Sequence, residues 1–383
     1  MELRLVRRIA DIDHQAWNAL VSDNNPFLRH EFLQALEDHQ CVSAQFGWYP
    51  QHLALYDQGE LIAAMPLYAK TNSYGEFVFD QAWSQAWQSV GLRYFPKWVS
   101  AIPYAPVTGQ RFLIAHDRNA DQIRALLVKY LQQIAGEQNI SGWHILFAEY
   151  YAEPNDQAWL SAQSDWLIRH DCHFHWFNRG YHTFDDFLAQ LKPKKRKNIK
   201  QERRKVEAAG VTFRVLNGHS ATEQDWQTFT HFYQKTFDEK HSLATLNQGF
   251  FQAVAKALPD QVLLVLADRE GVCLAGSLMF MSDSVLFGRH WGCIEQLDSL
   301  HFEACYYQGI EFAIANGLQR FEPGAGGEHK IARGFEPVKT QSAHWLASNP
   351  FQQGIEGFIA EEKRMIDDYY ADCVLHSPYQ TTL

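Results

Sequence analysis

The stretches LALYDQGELIAAMPLY (53–68) and LVLADREGVCLAGSLMF (264–280) share one pattern. In each, an apolar run leads into an acidic turn containing Gly, and a second apolar run follows with small residues at its centre. That is the signature of a β-hairpin, with turns at Asp57–Gly59 and Asp268–Gly271. The flanks repeat as well. Helical periodicity precedes each hairpin, at 13–21 and 30–38 and again at 222–236 and 247–258. An aromatic strand follows each, FVF (77–79) and VLFGRHW (285–291). A helix (121–135; 301–316) and a strand (143–148; 318–322) complete each set. The order ααβββαβ therefore occurs twice, about 210 residues apart, which is too long a period for a solenoid. The pattern predicts an α/β (α+β) chain of two duplicated units, 1–178 and 179–383, the aromatic stretch 150–185 joining them.

Length and composition agree. A chain of 383 residues exceeds what one core usually serves, and 46% hydrophobic with 20% charged residues is ordinary globular material. The longest strongly apolar run, Val262–Ala267, is far short of the roughly 20 residues that span a bilayer. The charged start MELRLVRR lacks the apolar core of a signal peptide. Six cysteines without a CxxC suggest neither a disulfide framework nor a zinc finger, so reduced thiols and a soluble, cytoplasmic protein are expected.

The net charge of −10 conceals a basic block. KPKKRKNIKQERRK (192–205) holds nine Lys/Arg and one Glu, a local balance of +8 that leaves −18 on the rest. Within a predicted helix 183–209, restarted or kinked at Pro193 and ended at Gly210, these cations extend over roughly 17 Å. Arg196, Lys200 and Arg203 fall at helical spacing and suit a polyphosphate, a nucleotide or an RNA backbone.

Two further stretches carry chemistry. GAGGEHKIARGF (324–335) follows the strand LQRFEP; Gly324, Gly326 and Gly327 permit positive φ and close approach of a ligand. Glu328, His329, Lys330 and Arg333 follow within ten residues. The second stretch is FGRHWG (287–292) with LDSLHFEACYYQGIEFAIANG (297–317). Asp298 or Ser299 is placed to cap the helix, His301 to stand at its entrance and Glu303 in its first turn. Strand and helix start should converge on the sheet edge where α/β sites form. Arg289, His290, Trp291, Glu328 and His329 are candidate substrate contacts, with Tyr104 in IPYAPVT (102–108) as a wall from the first half. No HExxH-type spacing supports a metal site. Cys305, between Ala304 and Tyr306, reads as a packed thiol.

A family resemblance covers nearly the whole chain. NPFLRHEFLQAL (25–36), SYGEFVFDQAW (73–83), GLRYFPKWVSAIPYAPVTG (91–109), FHWFNRGYHTFDDFLAQLKPKKRKNIKQERR (174–204), LFGRHWGC (286–293), LHFEACYYQGIEFAI (300–314) and FEPGAGGEHKIARGFEPVKTQSAHW (321–345) resemble a bacterial group of N-acyltransferases of the GNAT and Fem-type superfamily, associated with peptidoglycan biosynthesis or recognition. The resemblance implies tandem GNAT-like (acyl-CoA N-acyltransferase-like) domains and transfer of an acyl group from an activated donor to a small-molecule or peptide amine in a cleft between the halves. It implies that Arg196, Lys200 and Arg203 hold phosphates and that Lys330 and Arg333 lie near the reacting carbonyl. The glycine loop by which GNAT enzymes cradle the CoA pyrophosphate is missing from GCIEQLDSLHFE (292–303). A CoA donor would then be held by 324–327 and the basic helix.

The expected activity is direct acyl transfer, with Glu303 or His301 as base or orienter. Lys330, Arg333 or glycine-loop amides would stabilise the oxyanion. Acyl-CoA is the favoured co-substrate, with no tightly bound cofactor. The alternatives are an aminoacyl-tRNA-dependent Fem-type transferase on a cell-wall precursor and a non-catalytic module binding a muropeptide or RNA.

Overall fold

The computed structural model describes residues 1–148 and 155–380; the part of the 150–185 junction at 149–154 lies outside them. The first half runs β1 (Glu2–Val6), α1 (His14–Asn18), α2 (His30–Asp38), β2 (Trp48–Pro50), β3 (His52–Asp57), β4 (Glu60–Met65), β5 (Tyr68–Lys70), α3 (Gln81–Ser89), β6 (Lys97–Ser100), β7 (Leu113–Ile114), α4 (Ala120–Glu137), β8 (Gly142–Leu146) and α5 (Asp156–Ser161). The second runs β9 (Leu167–Phe177), α6 (Phe184–Ala189), α7 (Pro193–Ala208), β10 (Thr212–Leu216), α8 (Glu223–Glu239), α9 (Gln248–Ala257), β11 (Val262–Arg269), β12 (Val272–Met281), β13 (Val285–Cys293), α10 (Leu300–Phe302), a π-helical turn (Glu303–Tyr307), α11 (Gln308–Ala315), β14 (Arg320–Glu322), a 3-10 turn (Glu328–Arg333), β15 (Glu336–Leu346) and α12 (Gln352–Leu375).

The echo in the sequence is an echo in three dimensions. β3 and β4 form one hairpin, β11 and β12 the other, and each turns through two residues of positive φ: Gln58 and Gly59, Glu270 and Gly271. That is the mirror-image turn matching the strands' right-handed twist, and its second position needs the freedom of glycine. Each hairpin slips register at the same place. Leu55 pairs with Ala63 and Tyr56 with Leu61; Ala267 pairs with Ala275 and Asp268 with Cys273. The extra residues, Ile62 and Leu274, both stand three places after the turn glycine. Ahead of each hairpin an antiparallel strand joins at equivalent positions, Glu2 opposite Tyr56 and Thr212 opposite Asp268. Behind each comes a parallel pair spanned by helix, β6 with β8 across α4 and β13 with β14 across α11.

Contacts divide the chain into two compact units. Unit 1 holds Met1–Asp171 and Lys339–Asp368; unit 2 holds Cys172–Val338 and Tyr369–Leu383. The division falls at 171/172 where the sequence suggested 178, and 339–368 returns to the first unit. The reason lies in the strand ladder. Ser342–Leu346 of β15 pair with β8, while Trp176 and Phe177 of β9 pair with β14. Unit 1 packs its core around Trp98, Trp143, Leu127 and Leu131, unit 2 around Trp176, Phe187, Tyr307, Phe321 and Phe335. At about 25 cal/mol per Å² of apolar surface, such clusters dominate stability.

Two local readings are corrected. FVF (77–79) is a loop, not a strand, and Phe77 has φ +61°; the strand work there is done by β5 and β6. The basic helix restarts at Pro193, one of the two outcomes expected there: α6 ends at Ala189 and Pro193 opens α7. Neither expected cap operates at α10: Ser299 occupies the N-cap position at φ +69° without a side-chain bond to the helix, and Asp298 pairs with Lys205 instead. No disulfide joins any of the six cysteines, and among the described residues no helix is long and apolar enough to cross a membrane.

Candidate functional site

In unit 2, β13 and β14 stay paired only from Val285–Phe287 to Arg320–Glu322. β13 then continues to Cys293, and its ladder with β12 skips Arg289, since Leu278 pairs with His290 and Met279 with Gly288. This is a β-bulge at the carboxyl end of a parallel pair, where α/β proteins gather ligand-binding groups. The chain leaving β14 passes close beside it: a Cβ at Gly288 would lie 3.2 Å from Pro323 Cα. Gly324, Gly326 and Gly327 all take positive φ, so the turn 323–327 can be built from these glycines and strained by any other residue there.

Lys330 closes that turn. Its Nζ donates to Gly324 O at 2.7 Å and Ala325 O at 3.3 Å, and the side chain is buried. An ammonium carries three donors, so one N–H remains beyond these two bonds. Burial draws the Lys330 amine down to about 8, with Cys305 opposing and Arg289 adding to the fall. Burial likewise draws Arg289 down to about 10 and pushes the Cys305 thiol up to about 12, which suits the packed role expected of it.

Around the loop stand rings. His301 lies 5.3 Å from Trp291 and 5.4 Å from Tyr306, centroid to centroid, and His329 Nε2 is 2.8 Å from the Tyr306 hydroxyl. Burial, then the cations and His329 nearby, hold His301 near 4; burial followed by Lys330 and Arg333 also lowers His329. Both imidazoles are therefore neutral at pH 7. His290 packs 5.0 Å from Tyr233 and is pushed well down by burial. Glu328 is exposed at the start of the 3-10 turn.

Arg333 and Glu303 are held in ion pairs. Arg333 lies over the Phe302 ring at 3.3 Å, donates to His329 O at 2.7 Å and forks onto Glu202 at 2.7 and 3.2 Å. Glu303 receives two bonds from Arg203, at 3.0 and 3.1 Å, and one from Gln308; Arg203 also forks onto Glu311. The rest of α7 divides by face. Ile199 and Val206 are buried, Lys200 pairs with Asp185 and Lys205 with Asp298. Lys194, Lys195, Arg196, Lys197 and Arg204 make no ion pair among the described residues.

Unit 2 thus gathers Arg289, Trp291, His301, Glu303, the glycine turn, Glu328, His329, Lys330 and Arg333, and joins them to α7 through Glu202 and Arg203, whereas His290, expected among the substrate contacts, packs against Tyr233 and Phe251 of α8 and α9. Tyr104 belongs to unit 1, where its hydroxyl donates to Cys41 O at 2.8 Å. Sequence reasoning missed Glu202, whose carboxylate also accepts from the Tyr307 hydroxyl. It missed His175 and Glu322, both buried and 4.0 Å apart, Glu322 accepting from Arg320 at 2.9 Å. An acid closing a strand just before Pro-Gly, and alternate histidines in HFHWF, were the available signals. Nothing marked Glu202, one acid among nine cations.

Similar proteins agree with this architecture. No curated protein sequence matches the chain. Among solved structures, FemX covers 93% of this chain and 100% of its own at 13% identity, with a TM-score of 0.56. A conserved protein of unknown function from Bacteroides thetaiotaomicron covers 91% and 100% at 10% identity, TM-score 0.51, and L-PGS from Bacillus licheniformis 87% and 96% at 10% identity, TM-score 0.50. These likenesses establish a shared fold, and the repeated hairpin unit makes it a tandem α/β architecture. Residues 8–381 match the FemAB-like family, described by peptidoglycan biosynthesis/recognition. With nearly the whole chain matched and the duplicated unit present twice, this protein belongs to the FemAB-like family.

Proposed function

We propose that the protein is an acyl- or aminoacyltransferase that joins an activated carbonyl to an amine of a peptidoglycan precursor, with the reacting centre in unit 2. One observation carries the reading: Lys330 is a buried amine fastened by two carbonyls, with one N–H to spare, beside two neutral imidazoles. Attack of an amine on an ester or thioester carbonyl forms the new C–N bond and moves the π electrons onto oxygen. The spare Lys330 N–H meets that oxyanion. His301 or His329, neutral, accepts the proton released by the attacking nitrogen. Collapse then breaks the bond to the donor oxygen or sulfur, which takes that proton back from the imidazolium and leaves as alcohol or thiol. Arg333 and Glu303, held by Glu202 and Arg203, orient the turn and the helix.

The donor favoured is an aminoacyl-tRNA. The cations of α7 without ion pairs extend from Lys194 to Arg204, about 15 Å at helical rise, a length suited to successive phosphates. Four of them crowd the first turn, where the helix dipole already favours an anion. An acyl-CoA is the second reading, supported by the edge of β13 that β14 leaves beyond Phe287, where the parallel pairing ends while β13 stays paired with β12 on its other side. The test incubates the full chain with a muropeptide amine and, separately, charged tRNAs or acyl-CoAs, following tRNA deacylation or thiol release. Amine-dependent release from tRNA supports the first reading and from CoA the second. No acylated amine from any donor overturns both.

A further inference from the structure

Unit 1 contains a buried polar centre that the proposed reaction does not use. Lys70 on β5 stands directly opposite Lys97 on β6, and both are fully buried. One strand further, Val99 pairs with His144 on β8, and His144 pairs with His344 on β15. Because side chains alternate along a strand, Lys70, Lys97, His144 and His344 line one face of the sheet. Ser342 completes the row, its Oγ 2.8 Å from His344 Nε2. No residue of β2, β5, β6 or β8 on this face is a carboxylate, and like charges directly opposite destabilise a sheet.

Both acids that answer the lysines come from one loop, 71–80, between β5 and α3. Glu76 accepts from Lys97 at 2.7 Å, Asp80 also pairs with Lys97, and Ser73 and Tyr94 donate to Asp80. Among the described residues Lys70 Nζ donates to two neutral oxygens, Asn72 Oδ1 and Tyr74 O, both at 3.0 Å. The two acids differ. Asp80 is over-determined: burial would raise it, yet Lys97 with three hydrogen bonds holds it low. Glu76 is under-determined, because its Oε1 is buried with no hydrogen-bond partner among the described residues. Burial lifts Glu76 to about 7, and burial lowers Lys70 to about 7. A half-satisfied buried network is held less firmly than a complete one.

The loop has the marks of a segment that moves. It has no regular structure; Gly75 takes φ +81° against the Tyr104 ring, and Phe77 takes φ +61°, strained for an aromatic residue. Its outward residues are apolar, with Phe77 39% and Phe79 69% exposed. We propose that the tip of this loop, 74–79, is a displaceable cover over a cationic site on the unit 1 sheet, and that Glu76 occupies there the place of a compact anion, a carboxylate or phosphate group of a ligand. Lys97 and Lys70 receive that group when Glu76 swings out, and Asp80 stays fastened to Tyr94 and Ser73.

The test follows amide exchange of residues 73–79 in the full chain with acetate or with inorganic phosphate, against chloride at equal ionic strength. Lys194, Lys195, Arg196 and Lys197 are changed to Gln throughout, so that anions on α7 do not contribute. Either anion is expected to accelerate exchange in the loop, with a midpoint roughly tenfold lower in Glu76→Gln, where the internal competitor has lost its charge. Lys70→Met should abolish the response, and it leaves the Lys97–Asp80 pair intact. The anion that acts identifies the ligand group. Loop exchange unchanged by both anions in both backgrounds, or a response that survives Lys70→Met, overturns the proposal.

Discussion

At the residue scale the candidate centre turns on Lys330, whose amine serves both fold and proposed chemistry. Lys330→Ala should reduce kcat by about 10²–10³-fold, the usual loss of one oxyanion donor. It should also loosen the glycine turn, so Lys330→Arg, which keeps a charge, is the informative partner. The sign of the pH dependence follows from protonation. Lys330 must be protonated, so activity falls as pH rises through about 8; His301 must be neutral, so no loss appears until pH approaches 4. A kcat/KM profile flat from about pH 5.5 to 7 and falling above 8 agrees, and Lys330→Arg should remove the alkaline limb. Glu202 is the residue no sequence pattern revealed. Glu202→Gln leaves Arg333 without its charged partner, and a rise in KM of about tenfold with smaller change in kcat is expected if it positions the loop; an equal fall in kcat alone contradicts that role.

At the scale of elements, α7 and the two hairpins behave differently. α7 bears cations at its amino end against its own dipole, which costs stability rather than adding it. Replacing Lys194, Lys195, Arg196 and Lys197 by Gln should leave the melting temperature unchanged or slightly higher. It should flatten the slope of log affinity for tRNA against log salt by about 3. The hairpins make a paired prediction. Gly59→Ala and Gly271→Ala should each cost about 1–2 kcal/mol, because both glycines hold the same left-handed position. Denaturant titration of both variants checks whether the repeated turns are energetically as well as geometrically equivalent. The hairpins were legible from sequence because an acidic turn with glycine between apolar runs is a local code. The strand read at 77–79 was not, because FVF lies on a loop whose acids, Glu76 and Asp80, are drawn onto Lys97, a partner twenty residues away.

At the scale of the molecule, the buried centre of unit 1 makes stability depend on pH. Glu76 is raised from its usual value to about 7, so its contribution is complete at acid pH and is lost as pH rises through 7. Lys70 is lowered to about 7, so its contribution is complete at alkaline pH and is lost as pH falls through 7. Melting temperature measured relative to Glu76→Gln should therefore decline from pH 5 to 7. Measured relative to Lys70→Met it should climb from pH 7 to 9. Parallel curves for wild type and variants would show that neither group titrates in the fold.

The sequence by itself determined what local rules encode: the α/β class, the twofold repeat, the hairpin turns, the restart of the basic helix at Pro193 and the crowding of chemistry into 324–335. Only the tertiary structure decided which charges remain available. Arg203, counted among phosphate ligands, is committed to Glu303 and Glu311, while Lys194, Lys195, Arg196 and Lys197 make no ion pair among the described residues. Only the ladder between distant strands gave 339–368 to unit 1, and only it set Lys70 opposite Lys97. The physical reason is the range of the forces. Turn geometry and helical periodicity act over a few residues, whereas ion pairing and strand register join positions whose separation along the chain carries no record of their meeting.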